Sequence, residues 1–119
     1  MQKRLPTRPH QTLGPEQLGA VADLFGVLSE PSRLRILQAL QAGDASVGEL
    51  VDRCQMKQAN VSKQLGILTS AGVLGRRQDG NRVIYHIDMP LVFDLCSLVC
   101  GSVADKASER AAALARSGR

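Results

Sequence analysis

The chain has 119 residues, enough for one small domain with a modest core, so we expect a partner subunit to complete it. Apolar residues make up 44% of the sequence and charged residues 22%, as in an ordinary folded protein, and the net charge of +4 favours an anionic partner. Only three side chains are aromatic, too few for the stacking platforms of modules that bind single-stranded nucleic acid, so the composition favours duplex DNA.

Residues 1–14 are basic, contain two prolines and show no periodicity, which predicts a flexible N-terminal arm. No apolar signal core follows this arm, and no apolar run approaches the ~18 residues of a membrane span. We therefore expect a cytoplasmic protein without a membrane partner. The three cysteines, an odd number, argue against a disulfide framework.

Two short helices are predicted after the arm. The first spans residues 15–28 and places apolar side chains at helical spacing: Leu18, Val21, Ala22, Phe25 and Leu28. Pro31 suits the first turn of a second helix, which Gly43 ends as a left-handed cap. The inward residues of this second helix are predicted to be Leu34, Leu37 and Leu40, with Ile36 beside them.

A third helix is predicted to begin at a capping box. Ser46 and Glu49 have the spacing in which each side chain accepts a hydrogen bond from the other residue's amide. The inward residues of this helix are predicted to be Val47, Leu50, Val51 and Cys54. Residues 55–57 then form a tight turn, so the third and fourth helices make a helix-turn-helix.

The fourth helix, from about Gln58 to Ala71, has one apolar and one polar face. Val61, Leu65 and Leu68 recur at helical spacing and predict the buried face. The polar side chains can donate and accept hydrogen bonds, as contact with base edges in the major groove requires. The predicted DNA-reading residues are Lys57, Gln58, Asn60, Ser62, Lys63 and Gln64.

A β-hairpin with a basic tip, the wing, is predicted after Gly72. Residues 73–78 pair with residues 82–87 around the turn Gln78-Asp79-Gly80-Asn81. The wing residues expected to approach DNA are Arg76, Arg77, Gly80, Asn81 and Arg82. Residues 53–82 hold six basic residues and one acidic residue, so positive charge is concentrated where phosphate neutralisation would need it.

The last helix, which starts near Asp88 and Pro90, is apolar on nearly all sides. One small domain can cover only one side of such a helix, so we predict a two-fold homodimer. The predicted interface comprises Leu18, Val21, Val92, Phe93, Cys96, Val99, Cys100 and Val103. The DNA-binding domain with its dimerisation helix is predicted to span residues 15–104, and residues 105–119 a helical or frayed tail.

These elements make a mainly α fold with a small β-hairpin, a winged helix-turn-helix that dimerises through its terminal helices. The segments SEPSRLRIL, QANVSKQLGILTSAGVL and GRRQDGNRVIYHI lie within residues 18–103, a region that resembles the ArsR/SmtB family of bacterial repressors. The resemblance implies a homodimer that binds a partly palindromic operator and dissociates when an effector binds. By position, the family's DNA-reading residues match Gln58, Asn60, Ser62, Lys63 and Gln64, and its wing matches Arg77, Gly80, Asn81 and Arg82.

The sequence departs from this family in several places. Lys57 stands where members often carry a serine cap, and Gln64 where histidine or arginine is common, so the base preference is expected to differ. Arsenic-sensing members carry Cys-x-Cys where this chain has Ser46-Val47-Gly48. Zinc-sensing members use histidines on the last helix, and this helix has none.

Cys96 and Cys100 remain as a candidate effector site. At i, i+4 on a helix their Cβ atoms are ~5–6 Å apart, too far for an unstrained disulfide, which needs ~3.5–4.5 Å. The pair suits a soft metal(loid) ion or bridging reactive sulfur, with a third ligand from the other subunit. The alternative is that both are small core residues, since free cysteine is commonly buried.

Three functions of different classes agree with these features. A dimeric DNA-binding repressor without catalysis, released by a thiol-reactive or metal(loid) effector, accounts for most of them. A winged helix that binds another protein would use the same surface and show no salt-dependent DNA binding. A redox enzyme with a cysteine nucleophile is the weakest, because no histidine or basic residue near Cys96 or Cys100 in sequence would activate a thiol.

Overall fold

The computed structural model describes residues 12–117, which form five helices and one two-stranded hairpin. The helices are α1 (Pro15–Leu28), α2 (Pro31–Gln41), α3 (Val47–Cys54), α4 (Gln58–Ser70) and α5 (Pro90–Ser117), and the strands are β1 (Leu74–Asp79) and β2 (Arg82–Ile87). This order is the predicted winged helix-turn-helix, with boundaries from α1 to β2 within one residue of the predicted ones. Residues 1–11 of the predicted arm, and residues 118–119 of the predicted tail, lie outside the described residues.

The core lies where α2, α3 and α4 pack against the hairpin and the start of α5. Eight of its side chains have no exposed surface: Ile36, Leu37, Ala45, Leu50, Val61, Leu68, Val73 and Val92. Burying an aliphatic side chain of valine or leucine size is worth about 1.5–3 kcal/mol. Because these residues come from α2, α3, α4 and α5 and from the positions just before α3 and β1, their burial fixes the position of α4 relative to its neighbours.

The inward face of α2 differs from the predicted one. Leu34, which was expected to face inward, is 39% exposed, whereas Ile36, which was expected only beside the inward row, is fully buried. The buried side chains of α2 are Ile36, Leu37 and Leu40, so its inward face begins two residues later than predicted. Leu34 lies at the edge of the core, where it lines a groove with Phe25 of α1 and Val99 of α5.

Local hydrogen bonds set the start and the end of α3. The Ser46 hydroxyl oxygen accepts a bond from the Glu49 amide (3.2 Å), and a Glu49 carboxylate oxygen accepts one from the Ser46 amide (2.9 Å), so the predicted capping box is confirmed. At the other end Gln55 has φ +55° and its amide donates to the Val51 carbonyl (2.9 Å). This left-handed residue turns the chain from α3 toward α4.

The wing has a shorter tip than expected. Strand pairing extends to Asp79 and Arg82, so the predicted end of the first strand at Gln78 is one residue too early and only Gly80 and Asn81 form the tip. Gly80 has φ +65°, a conformation that favours glycine and occurs in two-residue hairpin turns.

Backbone contacts join the wing to the helix-turn-helix. Tyr85 in β2 exchanges two hydrogen bonds with Ala45, just before α3 (2.8 and 3.1 Å). A side chain at Gly75 would place its Cβ 2.6 Å from the imidazole of His86, so glycine leaves room for this ring on the paired strand. The wing therefore has a fixed base, and its tip projects from it.

The terminal helices leave an extended apolar surface uncovered. The exposed apolar side chains of α1 and α5 are Leu18, Val21, Phe25, Leu91, Phe93, Leu98, Val99, Val103 and Leu114. Helix α5 continues through Ser117 without a break at the predicted boundary between residues 104 and 105. No helix in residues 12–117 is long and apolar enough to cross a membrane.

Two predicted interface residues are already covered within the chain itself. Val92 has no exposed surface and Cys96 only 7%, because both pack into the core beside α2. A helix that is apolar all round does not reveal which stripe faces its own core. Val92 is therefore corrected from an interface residue to a core residue, and Cys96 is reached only from a groove.

The capping box generates a stability prediction. Replacing Ser46 by alanine removes the acceptor of the Glu49 amide, and we expect the free energy of unfolding to fall by about 1 kcal/mol. Urea denaturation at one fixed protomer concentration measures this change, because stability that depends on association varies with concentration. The matched control is Ser70→Ala, which changes an exposed serine at the end of α4. Equal losses in the two variants would contradict a role for the cap.

Candidate nucleic-acid interface

Helix α4 presents a polar face to solvent. Its buried residues are Val61, Gln64, Leu65 and Leu68, and these hold the helix against α2 and α3. Of the predicted DNA-reading residues, Lys57, Gln58, Ser62 and Lys63 are exposed and Asn60 is half-buried. Lys57 occupies the N-cap position and makes no side-chain capping bond, so the first amides of α4 have no side-chain acceptor.

Gln64 departs from the prediction. It was expected on the exposed face, but it is only 6% exposed. Its side-chain oxygen accepts a bond from the guanidinium of Arg33 (3.0 Å), and its amide nitrogen donates to the side-chain oxygen of Asn60 (2.9 Å). These bonds satisfy a polar group that would be costly to bury alone. Gln64 therefore cannot contact DNA directly without leaving the core.

Two of the three wing arginines are held by carboxylates, one just before α3 and one within it. Arg77 pairs with Asp44 (2.9 Å), and Arg82 pairs with Glu49 (2.7 Å). All four side chains are about half exposed, so each pair contributes little to stability. The third wing arginine, Arg76, is exposed and forms no ion pair among the described residues.

Glu49 connects the cap of α3 with the wing. Its pKa is held below the ordinary value by the hydrogen bonds from Ser46 and, to a smaller extent, by the positive charges of Arg82 and Arg53. The carboxylate is therefore ionised at neutral pH, where it both caps the helix and holds the wing arginine. Its contribution to stability is present above the unfolded-state pKa and is lost as the pH falls through the lower folded-state value.

The two helical cysteines differ in their surroundings. Cys96 is buried and Cys100 is exposed, and both line an apolar groove of about 280 Å³ between α1, α2 and α5. Loss of water raises the pKa of the Cys96 thiol, and the neighbouring Cys100 raises it further. The remaining lining residues are Phe25, Leu28, Ser29, Leu34, Leu95 and Val99. The groove thus brings the predicted pair together, with one thiol inside and one at the surface.

Residues 12–117 contain no group of three or more histidine, cysteine or acidic side chains able to hold a metal ion. Cys54, the third cysteine, is buried in the core, where desolvation raises the pKa of its thiol. A metal(loid) ion at Cys96 and Cys100 would therefore take any further ligand from outside this part of the chain.

Sequence reasoning missed three residues that shape this surface. Asp44 and Glu49 hold the wing arginines, and Arg33 holds Gln64. Glu49 carried a signal as a capping residue, but its second role needs the hairpin to fold back onto α3. Arg33 was one of several basic residues with no distinguishing mark, since its partner lies 31 residues away.

The comparisons with known proteins agree with this architecture. A family model described as a helix-turn-helix domain matches residues 28–76. An uncharacterized HTH-type transcriptional regulator of Mycobacterium tuberculosis is 40% identical over 94 residues, which cover 78% of this chain and 82% of the relative. A probable mercury resistance operon repressor of Streptomyces lividans is 33% identical over 87 residues, or 73% of this chain and 70% of the relative.

Solved structures extend the similarity to most of the chain. One is a homodimeric winged helix-turn-helix DNA-binding domain from Mycobacterium bovis, described as a possible ArsR-family transcriptional regulator. It is 32% identical, with a TM-score of 0.69 and coverage of 80% of this chain and 87% of that chain. The AntR antimony-specific transcriptional repressor is 28% identical, with a TM-score of 0.74 and coverage of 88% and 99% respectively.

The carboxylates that hold the wing generate a binding prediction. Asp44→Asn releases Arg77 and removes a negative charge beside it, so we expect tighter duplex binding and a salt dependence steeper by up to about 0.9 on a log–log scale. Fluorescence titrations over a series of salt concentrations measure the affinity for duplex DNA and its salt dependence. Asp52→Asn is the matched control, because it removes the same charge from an exposed residue of α3 that has no ion pair among the described residues. Equal effects in both variants would show that only net charge matters.

Proposed function

The chain belongs to the ArsR/SmtB family of winged helix-turn-helix transcriptional regulators, and from this membership we propose that it is a dimeric repressor that releases its DNA operator when an effector binds. The single observation that carries the proposal is the two-sided character of α4. One face is locked into the core, and the other presents Gln58, Ser62 and Lys63 to solvent. A helix held in this way suits the major groove, which admits one helix and offers hydrogen-bonding base edges.

Electrostatics supports the same orientation. The open N-terminus of α4 offers unpaired backbone amides and the positive end of a helix dipole to a phosphate. Lys57 and Lys63 flank that end, and the wing arginines lie on the hairpin that follows α4 directly. In this proposal α4 reads bases, while the cations of the wing contact the backbone and the neighbouring minor groove.

The exposed apolar surface supports dimerisation through α1 and α5. Leu18, Val21, Phe93, Val99 and Val103 are all at least 40% exposed. Several large apolar side chains exposed on the terminal helices are typical of an interface. The similar Mycobacterium bovis domain is homodimeric. A two-fold dimer would present two α4 helices to two half-sites, which accounts for a partly palindromic operator.

The effector part of the proposal concerns Cys96 and Cys100. Similar proteins are named for mercury resistance and for antimony, both thiol-seeking elements. The groove provides two thiols in apolar surroundings, which suits a soft ion or reactive sulfur better than a hard, hydrated cation. Because the groove opens beside the apolar surface of α5, an effector bound there would alter the dimer contacts that set the spacing of the two α4 helices.

The DNA-binding part predicts a specific loss on replacing Lys63. We expect Lys63→Ala to weaken binding to all duplexes and to flatten the salt dependence by about 0.9, because one phosphate contact is lost. The measurement is a fluorescence titration of the reduced protein onto duplex DNA from upstream of its own gene, at several salt concentrations. Lys106→Ala, on the exposed distal part of α5, is the matched control. No salt-dependent binding by the unaltered protein would instead favour a protein-binding winged helix.

The effector part predicts a cysteine-dependent release. The same titration is repeated with As(III), Zn(II), Cd(II), Cu(I) or a polysulfide, using the unaltered protein and a Cys96→Ser/Cys100→Ser variant. We expect a thiol-seeking additive to weaken DNA binding of the unaltered protein and to spare the double variant. Cys54→Ala, which removes a thiol outside the groove, is expected to respond like the unaltered protein. Release of the double variant, or no release of either protein, would refute the sensor.

A further inference from the structure

A chain of three side-chain hydrogen bonds links α1, α2 and α4 beneath the polar face. Arg33 donates through Nε to the Val27 carbonyl (2.6 Å) and through Nη1 to Gln64 Oε1 (3.0 Å). Gln64 in turn donates through Nε2 to Asn60 Oδ1 (2.9 Å). Gln64 is buried, and Asn60 lies half-buried in the first turn of α4. These hydrogen bonds therefore connect the end of α1, at Val27, with the surface that is expected to meet DNA, at Asn60.

The donors and acceptors of these groups allow only one orientation of the Gln64 and Asn60 amides. A guanidinium has five donor hydrogens and no acceptor, so the Gln64 atom that faces Arg33 must be its oxygen. The Gln64 amide nitrogen then faces Asn60, and an amide NH₂ group needs an oxygen opposite it. Asn60 must therefore turn Oδ1 inward, which leaves its Nδ2 hydrogens to point outward. Flipping either amide would set two donors or two acceptors against each other at the side chain of Gln64, which is buried, so the mismatch would be costly.

We propose that Arg33 and Gln64 are positioning residues that make Asn60 a hydrogen-bond donor toward DNA and so set the base it selects. The proposal rests on the proposed function, in which the first turn of α4 enters the major groove. Asparagine usually reads adenine in a bidentate manner, with its oxygen accepting from N6 and its nitrogen donating to N7. An Asn60 whose oxygen is held from below loses that geometry. It selects instead a base whose exocyclic group is an acceptor, namely guanine through O6 or thymine through O4.

Position on the helix agrees with this role. Asn60 stands three residues before Lys63 in α4, so these two side chains are neighbours on the helix surface, and Lys57 occupies the N-cap position that precedes them. In helix-turn-helix proteins the N-terminal residues of the second helix contact base edges. The guanidinium of half-buried Arg33 is already bound to the Val27 carbonyl and to Gln64, so its effect on Asn60 passes through Gln64.

The decisive variant is Gln64→Glu, which keeps the size of the side chain and an acceptor for Arg33. A carboxylate has no hydrogen to donate, so Asn60 must turn its NH₂ group inward and present its oxygen outward. The preferred base at the position read by Asn60 should then change from guanine or thymine to adenine or cytosine, which offer donors at N6 and N4. We expect the affinity ratio between the two classes of base to change by about tenfold, as for one base-edge contact.

Selection from a library of duplexes with a randomised centre, followed by sequencing, gives the base preference of each protein. The library is applied in parallel to the unaltered protein, Gln64→Glu and Asn60→Ala. Asn60→Ala identifies the position that Asn60 reads, since the preference there should flatten while the rest of the site is retained. Circular dichroism and thermal unfolding establish that each variant is folded before its preference is compared.

Nuclear magnetic resonance of the DNA-free protein provides a second measurement. In the unaltered protein the side-chain amide hydrogens of Gln64 should exchange slowly with water, and those of Asn60 quickly. In Gln64→Glu the Asn60 hydrogens should become protected. The result for the unaltered protein tests the orientation even if Gln64→Glu does not fold.

These measurements can overturn the roles assigned to Gln64 and Asn60. If Asn60→Ala flattens no position, Asn60 reads no base. If it flattens one position whose preference Gln64→Glu leaves unchanged, Gln64 does not set the donor direction. Fast exchange of the Gln64 amide hydrogens would contradict the buried hydrogen bonds themselves. If the unaltered protein enriches no duplex, the proposed function itself fails. This result differs from the first two outcomes, in which the unaltered protein still selects a DNA site.

Discussion

Burial of the apolar face of α4 is the constraint on which the rest of the structure depends. Val61, Leu65 and Leu68 are almost completely removed from water against α2 and α3. Each buried side chain of this size contributes about 1.5–3 kcal/mol, so the helix cannot rotate without losing a large part of the stability of so small a domain. As a result, the polar face of α4 has a fixed orientation, and the side chains on this face keep fixed positions relative to one another. Recognition of bases at distances of a few ångströms requires this rigidity.

The cations of the wing are organised more loosely than α4. Arg77 and Arg82 are held by exposed carboxylates, and such contacts are weak and screened by salt. The same arginines can therefore exchange a carboxylate for a phosphate at little cost, while the bridge between Ala45 and Tyr85 keeps the base of the wing in place. Glu49 has two structural roles, because the same carboxylate caps α3 and holds an arginine of the wing.

The sequence was sufficient for the elements and insufficient for contacts between them. Capping residues, glycines and apolar spacing are local signals, and they predicted the bounds of α1 to β2 within one residue. Gln64 shows where this reasoning stops. Its spacing from Val61 and Leu68 places it on the buried side of α4, but its polar character suggested the exposed side, and the partner that satisfies it, Arg33, is 31 residues away. The prediction that Val92 lies in the dimer interface was wrong for a related reason, since a helix that is apolar on all sides does not reveal which side its own core covers.

The hydrogen bonds of Arg33 also provide a physical connection that the proposed release of DNA requires. Coupling between two sites needs an element whose contacts change with the state of both. Leu28 lines the cysteine groove, and the carbonyl of the preceding residue, Val27, accepts the bond from Arg33. A ligand that displaces the end of α1 would therefore disturb the same guanidinium that orients Gln64 and, through it, Asn60. In this arrangement an effector in the groove would affect base selection within one subunit as well as the spacing of two subunits. Disruption of the dimer alone would weaken binding to every duplex to a similar extent, whereas disturbance of Arg33 would change preference at a single base pair.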